Sequence, residues 1–213
     1  EKDLNDGVAL IDLGFEKTSL GLFKNLALTN SITLPIGTNH IVKDISKVCS
    51  LSTEESKNIL KNFDFSFKNN KKFFDDEDYL RKVYFKNSNF RKISKSLLLN
   101  VIKERINEIF EIVKKNTSSS GINQSSNAKI YITGGGSNLQ NIEIFCSIFF
   151  DQEVSKLGKI DKENNKNGNL EFFFACLGAI KLIKDGWETE AIPKLSEKYS
   201  EKKGFFAKIF GIK

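Results

Sequence analysis

The sequence predicts an α/β fold in which helices cover a central sheet. Three observations lead there. A meander of short β-rich runs fills residues 7–34, a buried-type strand at 129–133 runs straight into glycines, and segments of helical periodicity lie between and after them.

GVALIDL (7–13) is a short apolar run rich in β-formers, and TSLGLFK (18–24) alternates behind the turn GFEK, which predicts two strands and a tight turn. LALTNSITL (26–34), with Leu26, Leu28 and Ile32 alternating, predicts a third strand closed by Pro35 and Gly37. In HIVKDISKVC, Ile41, Ile45 and Val48 have helical spacing, and Ser52-x-x-Glu55 is a capping-box pattern opening a short helix through Leu60. Residues 63–90 are less regular, with FDFSF alternating like a strand ahead of a Lys/Asn/Asp-rich loop. From Phe90 to Lys115 a long amphipathic helix is expected, with Ile93, Leu97, Val101, Arg105 and Ile109 along one face and Leu98, Ile102, Ile106 and Val113 beside them. NTSSSGINQSSN (116–127) reads as a polar loop and KIYIT (129–133) as a buried strand entering GGGS. A helix over about 139–150, a strand near 154–157, a Lys/Asn-rich loop and the apolar helix EFFFACLGAIKLIK complete the globular part. Beyond Asp185 a polar tether containing Pro193 leads to the tail KKGFFAKIFGIK.

With 39% hydrophobic residues and 19 Phe, the chain can build one substantial core or two small subdomains sharing a seam. Its 33 basic and 27 acidic residues are thoroughly mixed, so the net charge of +6 describes a solvated surface and gives no nucleic-acid groove. No apolar run reaches the roughly 18 residues of a membrane-spanning helix, and no basic-then-apolar leader opens the sequence. Cys49, Cys146 and Cys176 stand in apolar contexts without metal-ligand spacing and are expected to be core thiols in a reducing cytoplasm. There is no methionine and the sequence opens Glu1-Lys2-Asp3, so it is expected to be the C-terminal part of a longer protein.

Two turns have the make-up of phosphate sites. In IDLGFEKTSL, Asp12 ends a strand, Gly14 permits a tight backbone and Thr18 restarts the chain. Such a hairpin can aim amides at phosphate oxygens while Asp12 holds magnesium through water, although the same pattern also serves as a plain turn. In IYITGGGSNLQN, three glycines between strand and helix let the backbone approach a ligand, and the amides of Asn138 to Gln140, read as the start of a helix, favour an anion. A flexible glycine connection is the competing reading. Gly134, Gly135 and Gly136 lack the G-x-G-x-x-G spacing of a dinucleotide fold, and no Gly-Lys-Ser/Thr follows as in a Walker loop. His40 is the only histidine, which leaves Ser/His/Asp catalysis without support and suits a surface or packing role.

Asp-Leu-Gly on a hairpin, PIGTNHIVKD, IKERINEIF on a long helix and ITGGGSNL, in that order, resemble the second half of the actin-like ATPase (ribonuclease H-like) fold. Within it they look most like the FtsA family, bacterial cell-division actin homologues that tie FtsZ filaments to the inner membrane. The resemblance runs from about Gly7 to the end, and its specificity lies in the order of the motifs. It implies residues 1–52 and 117–184 as the nucleotide-binding subdomain IIA, 53–116 as a smaller inserted α+β subdomain IIB, 185–203 as a linker and 204–213 as a membrane-targeting helix. By resemblance, Asp12, Gly14 and Thr18 match the second phosphate loop, with Asp12 on magnesium, and Gly37 and His40 match a turn-to-helix segment. Gly134, Gly135, Gly136 and Ser137 match the adenosine motif, and Lys103 and Arg105 lie on the helix bordering the adenine.

The implied ligands are ATP and Mg, held by a scaffold with weak or no ATPase activity. The implied partners are the FtsZ C-terminal peptide on IIB, further copies in filaments and an anionic membrane, at the cytoplasmic face of the inner membrane where division occurs. In place of the second and third glycines of many relatives stand Phe15 and Glu16, which restrict the backbone and bring negative charge near the expected phosphates. A sugar- or acetate-kinase-like phosphotransferase and a pilus-assembly actin-like scaffold are the alternatives; neither accounts for the tail.

On a helical wheel Phe205, Phe206, Ile209 and Phe210 cluster with Ile212 nearby, flanked by Lys202, Lys203, Lys208 and Lys213 and by no acid. This is a surface-seeking pattern. Each apolar side chain contributes up to roughly 1.5–3 kcal/mol at full depth and each lysine about 1 kcal/mol near an anionic leaflet. Ordering the helix costs on the order of 1–2 kcal/mol per residue, so one tail binds weakly and many tails in a filament bind firmly.

Overall fold

The computed structural model describes residues 2–86, 92–118, 128–157 and 174–184. The chain forms two compact units, Glu1–Lys166 and Asn167–Lys213.

The first unit is built on a five-stranded sheet of order β3-β2-β1-β4-β5. Its strands are β1 (Val8–Leu13), β2 (Thr18–Lys24), β3 (Ala27–Leu34), β4 (Lys129–Thr133) and β5 (Val154–Lys156). The meander pairs are antiparallel, whereas β1/β4 and β4/β5 are parallel. Central β1 buries Val8, Ala9, Ile11 and Leu13, which explains its nearly continuous apolar sequence.

The third strand is an edge, and its alternation is not a core signature. Asn25 and Leu26 both have positive φ, 53° and 63°, and form the two-residue turn that joins Lys24 to Ala27. Leu26 therefore belongs to the turn, and Leu28 is exposed.

Helices α1 (Lys2–Asp6), α2 (Thr38–Cys49), α3 (Thr53–Asn62), α4 (Lys95–Ser118) and α5 (Ile142–Phe150) complete the unit. The capping box of α3 forms as expected, with Ser52 Oγ accepting from Glu55 N and Glu55 Oε2 accepting from Ser52 N. In α2 the buried apolar residues are Ile41, Val42, Ile45 and Cys49; Val48 falls on the exposed side. In α4 the core stripe is Leu98, Ile102, Ile106, Ile109, Phe110 and Val113. Of the row expected to lead that face, Ile109 lies in the stripe and Ile93 is buried ahead of the helix, whereas Leu97 is exposed and Val101 and Arg105 are half-buried.

FDFSF forms no strand. Phe63 and Phe65 are buried, Phe67 turns the chain at φ 62°, and all three rings meet in one cluster with Phe63 to Phe65 and Phe63 to Phe67 centroids 5.3 Å apart. Two 3-10 turns, Lys71–Phe73 and Lys82–Tyr84, follow.

The helix expected from 139 starts later. Gly135–Asn138 is a 3-10 turn, and α5 begins at Ile142 behind Asn141 at φ 61°. Buried residues from Ala9 to Val154, the 63–85 aromatics included, make one core. Burial pushes the Cys49 thiol up to about 11 and raises that of Cys146 further, as fits unreactive core sulfur.

The second unit contributes α6 (Phe174–Lys184). Its Cys176 is exposed, in contrast to the core thiol expected there. The tether and tail lie outside the described residues.

Truncating the core stripe tests this packing. Ile106→Ala is expected to cost about 2–5 kcal/mol in urea unfolding, whereas Leu97→Ala should stay within about 1 kcal/mol.

Candidate functional site

Parallel pairing sets Asp12 opposite Thr133, so the turns that follow β1 and β4 leave the sheet at the same end. Gly134, at φ 82°, lies directly against Asp12: a Cβ there would sit 2.1 Å from Asp12 Oδ1 and 2.8 Å from the Leu13 carbonyl. A Cβ on Gly136 would meet Leu13 Cγ at 2.4 Å, whereas Gly135 has nothing within 4 Å. The glycine turn thus packs its first and third residues on β1 and opens its second to space. It closes on itself through bonds to Gly134 O from Ser137 Oγ (2.7 Å) and Ser137 N (3.1 Å). Leu139 N donates to Gly136 O, so that amide is spent inside the turn, and residues 138–140 are not the helix start the sequence suggested.

The β1–β2 turn is fastened from the other side. Gly14 N donates to Lys17 O at 2.9 Å. The carbonyls of Gly14 and Phe15 accept from the first amides of α2, Thr38 N at 3.1 Å and Asn39 N at 2.7 Å. Because trans peptides hold N–H opposite C=O, the amides of Phe15 and Glu16 point away from α2. Among the described residues no carbonyl accepts from either. Two neighbouring amides that face away from α2, next to a carboxylate and a glycine turn, are donors of the kind that suit an anion.

Gly37 makes this approach possible, since a Cβ there would lie 2.6 Å from Phe15 O and 2.7 Å from Gly14 O. His40 Nδ1 accepts from Gly37 N at 3.2 Å, so the single histidine caps α2. Thr18 is fully buried and donates through Oγ1 to Ile36 O at 2.7 Å, a bond that pins the chain entering α2. The departures from the glycine pattern are both occupied: Glu16 accepts from Asn39 Nδ2 at 2.6 Å with Lys43 Nζ at 3.8 Å, and Lys57 Nζ lies 5.3 Å from the Phe15 ring centroid.

Asp12 is exposed on the end of β1. Arg105 bonds Asp44 of α2 and Glu108, and the Asp44 hydrogen bond raises its pKa, so its guanidinium locks α4 to α2. Lys103 is exposed on α4. The tail residues Lys202, Lys203, Phe205, Phe206, Lys208, Ile209, Phe210 and Ile212 fall outside the described residues.

Two residues at this end had not stood out. Asp64 is fully buried, and its Oδ1 accepts from Asn141 Nδ2 at 2.9 Å, just past the glycine turn. An acid between two phenylalanines was the available signal. Among the described residues no group of three or more His, Cys, Asp or Glu could hold a metal, and no helix is long and apolar enough to cross a membrane.

The sequence pattern of the family described as Cell division protein FtsA matches residues 9–170. The chain belongs to the FtsA family. It is 33% identical over 138 residues to the cell division protein FtsA of Bacillus subtilis (strain 168), covering 63% of this chain and 29% of that protein. To the FtsA of Neisseria meningitidis serogroup B it is 29% identical over 155 residues, covering 72% of this chain and 36% of that protein. The match thus spans about a third of the length of these FtsA relatives.

Solved structures give the same fold. MreB 5 of Spiroplasma citri bound to AMPPNP superposes with a TM-score of 0.58 at 16% identity, over 89% of this chain and 57% of that one. The archaeal actin homolog Ta0583 does so with a TM-score of 0.53 at 15% identity, over 84% and 48%. The chain has the actin-like ATPase fold that its motif order implied.

The glycine turn yields a paired prediction. Gly134→Ala should destabilise the chain by at least ~1–2 kcal/mol from the left-handed backbone alone, with Asp12 displaced in addition. Gly135→Ala should change thermal stability by under about 0.5 kcal/mol.

Proposed function

We propose that the chain is the nucleotide-binding and membrane-tethering part of a cell-division scaffold. The contact of Gly134 with Asp12 carries this reading, since it joins the two phosphate-type turns into one surface. An adenine nucleotide with magnesium fits what is there: two inward-facing glycines without room for side chains, open space at Gly135, the amides of Phe15 and Glu16 to which no carbonyl among the described residues is bonded, and an exposed carboxylate.

In this arrangement the amides of Phe15 and Glu16 bind phosphate oxygens and Asp12 orients magnesium through water. Bound magnesium would supply charge neutralisation of the phosphates. Gly14 and Gly37 allow the close approach of turn and helix, while Thr18 fixes that geometry through Ile36 and does not itself reach the ligand. Gly134, Gly135, Gly136 and Ser137 offer backbone to the nucleoside. Of the two α4 residues, Lys103 is free to border the base, and Arg105 acts through its ion pair with Asp44. In this reading ATP serves as an assembly ligand.

The remaining parts follow from family membership and from the tail sequence. Residues 204–213 lay Phe205, Phe206, Ile209, Phe210 and Ile212 into an anionic membrane surface, with Lys202, Lys203 and Lys208 at the headgroups. Filaments of the full-length protein multiply that weak contact, and an FtsZ C-terminal peptide bound on residues 53–116 places FtsZ at the inner face of the membrane at the division site. The family match separates this reading from a phosphotransferase or a pilus-assembly scaffold, which the shared fold alone does not.

Asp12→Ala in the full-length protein should weaken magnesium-ATP binding by more than about tenfold in calorimetry with little change in melting temperature, because the side chain is exposed. An unchanged affinity would remove Asp12 from the site. Deleting residues 204–213 should release the full-length protein from anionic vesicles in flotation; undiminished flotation would refute the anchor.

A further inference from the structure

Between α3 and the glycine turn lies a buried polar junction that neither the sheet nor the phosphate-type turns require. Asp64 is fully buried between Phe63 and Phe65. Its Oδ1 accepts from Ser66 N at 2.8 Å and from Asn141 Nδ2 at 2.9 Å, and Phe65 N donates to Gln140 O at 2.9 Å. Asn70, also buried, closes the loop by accepting from Asp64 N at 2.9 Å and donating to Asp64 O at 2.8 Å. The second carboxylate oxygen, Oδ2, is buried with no hydrogen-bond partner among the described residues.

A buried carboxylate is costly, and core stability would be served as well or better by an apolar side chain. Burial pushes the Asp64 carboxyl up, yet hydrogen bonding from Asn141, Ser66 and Asn69 outweighs it and holds the group below the ordinary value, so it is charged at neutral pH. What the charge obtains is a fixed position for Asn141, the left-handed residue that separates the glycine turn from α5. The connection continues in both directions. Upstream, Leu139 N is bonded to Gly136 O, and Gly136 and Gly134 rest on Leu13 and Asp12. Downstream, the 63–74 segment carries the ring cluster of Phe63, Phe65, Phe67 and Phe73.

We propose that Asp64 is a positioning residue for the glycine turn: by holding Asn141, beside the bond from Phe65 N to Gln140 O, it sets how residues 134–137 present their backbone to nucleotide, and it makes that turn and the 63–74 segment move as one piece. The inference rests on the nucleotide reading of Gly134 to Ser137.

The test uses the full-length protein in four variants, Asp64→Ala, Asp64→Asn, Asn141→Ala and the Asp64→Ala/Asn141→Ala double, with Asn70→Ala as the control. Asn70→Ala loosens the same loop without touching residues 140–141. Magnesium-ATP affinity is read by calorimetry, and hydrogen exchange of peptides spanning 63–74 is read with and without nucleotide. Asp64→Ala and Asn141→Ala should each weaken binding by about tenfold, as for loss of one hydrogen bond to a charged group, and the double should be no weaker than the worse single. Asp64→Asn keeps an acceptor at the Oδ1 position and should recover most of the affinity. Asn70→Ala should lower the melting temperature with affinity unchanged. Nucleotide should slow exchange in 63–74 of the unmodified protein, and Asn141→Ala should abolish that effect.

The proposal is overturned if Asp64→Ala and Asn141→Ala bind as the parent does, if their losses add in the double, or if Asn70→Ala weakens binding as much. Should Asp64→Ala not fold, Asn141→Ala, at a half-buried position, decides the matter alone. A parent protein that binds no magnesium-ATP would sink the nucleotide reading and this inference together, whereas a parent that binds with indifferent variants sinks only the inference.

Discussion

The parallel pairing of β1 with β4 places Asp12 opposite Thr133, and the arrangement of the functional end depends on it. Parallel neighbours send their following turns out of the same edge of the sheet, so a hairpin turn at 14–17 and a glycine turn at 134–137, more than a hundred residues apart, come to lie side by side. The contact is close enough that only glycine fits at 134. Were β4 one residue out of register, its inward and outward faces would exchange, and the turn after it would leave the sheet displaced from Asp12.

Around that contact the chain uses its backbone polar groups economically. The amides at the start of α2 are satisfied by carbonyls of the β1–β2 turn, which fixes the turn and, through peptide geometry, aims the next two amides the other way. Thr18, Gly37 and His40 all serve this junction, through a bond to Ile36, through the absence of a Cβ and through a cap on Gly37 N. In the proposed site they shape the turn from behind. Arg105 acts similarly at a distance, joining α4 to α2 through Asp44.

Much of the fold was legible because its strands have strong local signatures. VALIDL, TSLGLFK and KIYIT become strands with bounds within a residue of those read from alternation and β-branching, and the capping box at Ser52 forms as written. The failures share a physical origin in tertiary contacts that periodicity does not carry. Alternation in FDFSF reflects an aromatic cluster around a turning chain, and Leu26 is apolar in a left-handed hairpin turn where Gly or Asn is the usual occupant. The two helical stripes of α4 differ by a rotation that only the packing against α2 and α5 decides. The glycines of the site were visible by composition, but which of them face β1 and which faces space was not, and Asp64 was hidden inside an apolar run.

Family membership and fold leave the joint presentation of the two turns to one ligand as the claim on which the functional account stands. The most direct measurement is a titration of the isotope-labelled full-length protein with magnesium-ATP, followed by backbone amide chemical shifts. The account predicts that amides of Phe15 and Glu16 and those of Gly134 to Ser137 shift together, with one common saturation curve. Shifts confined to one turn, or distinct curves for the two, would contradict it.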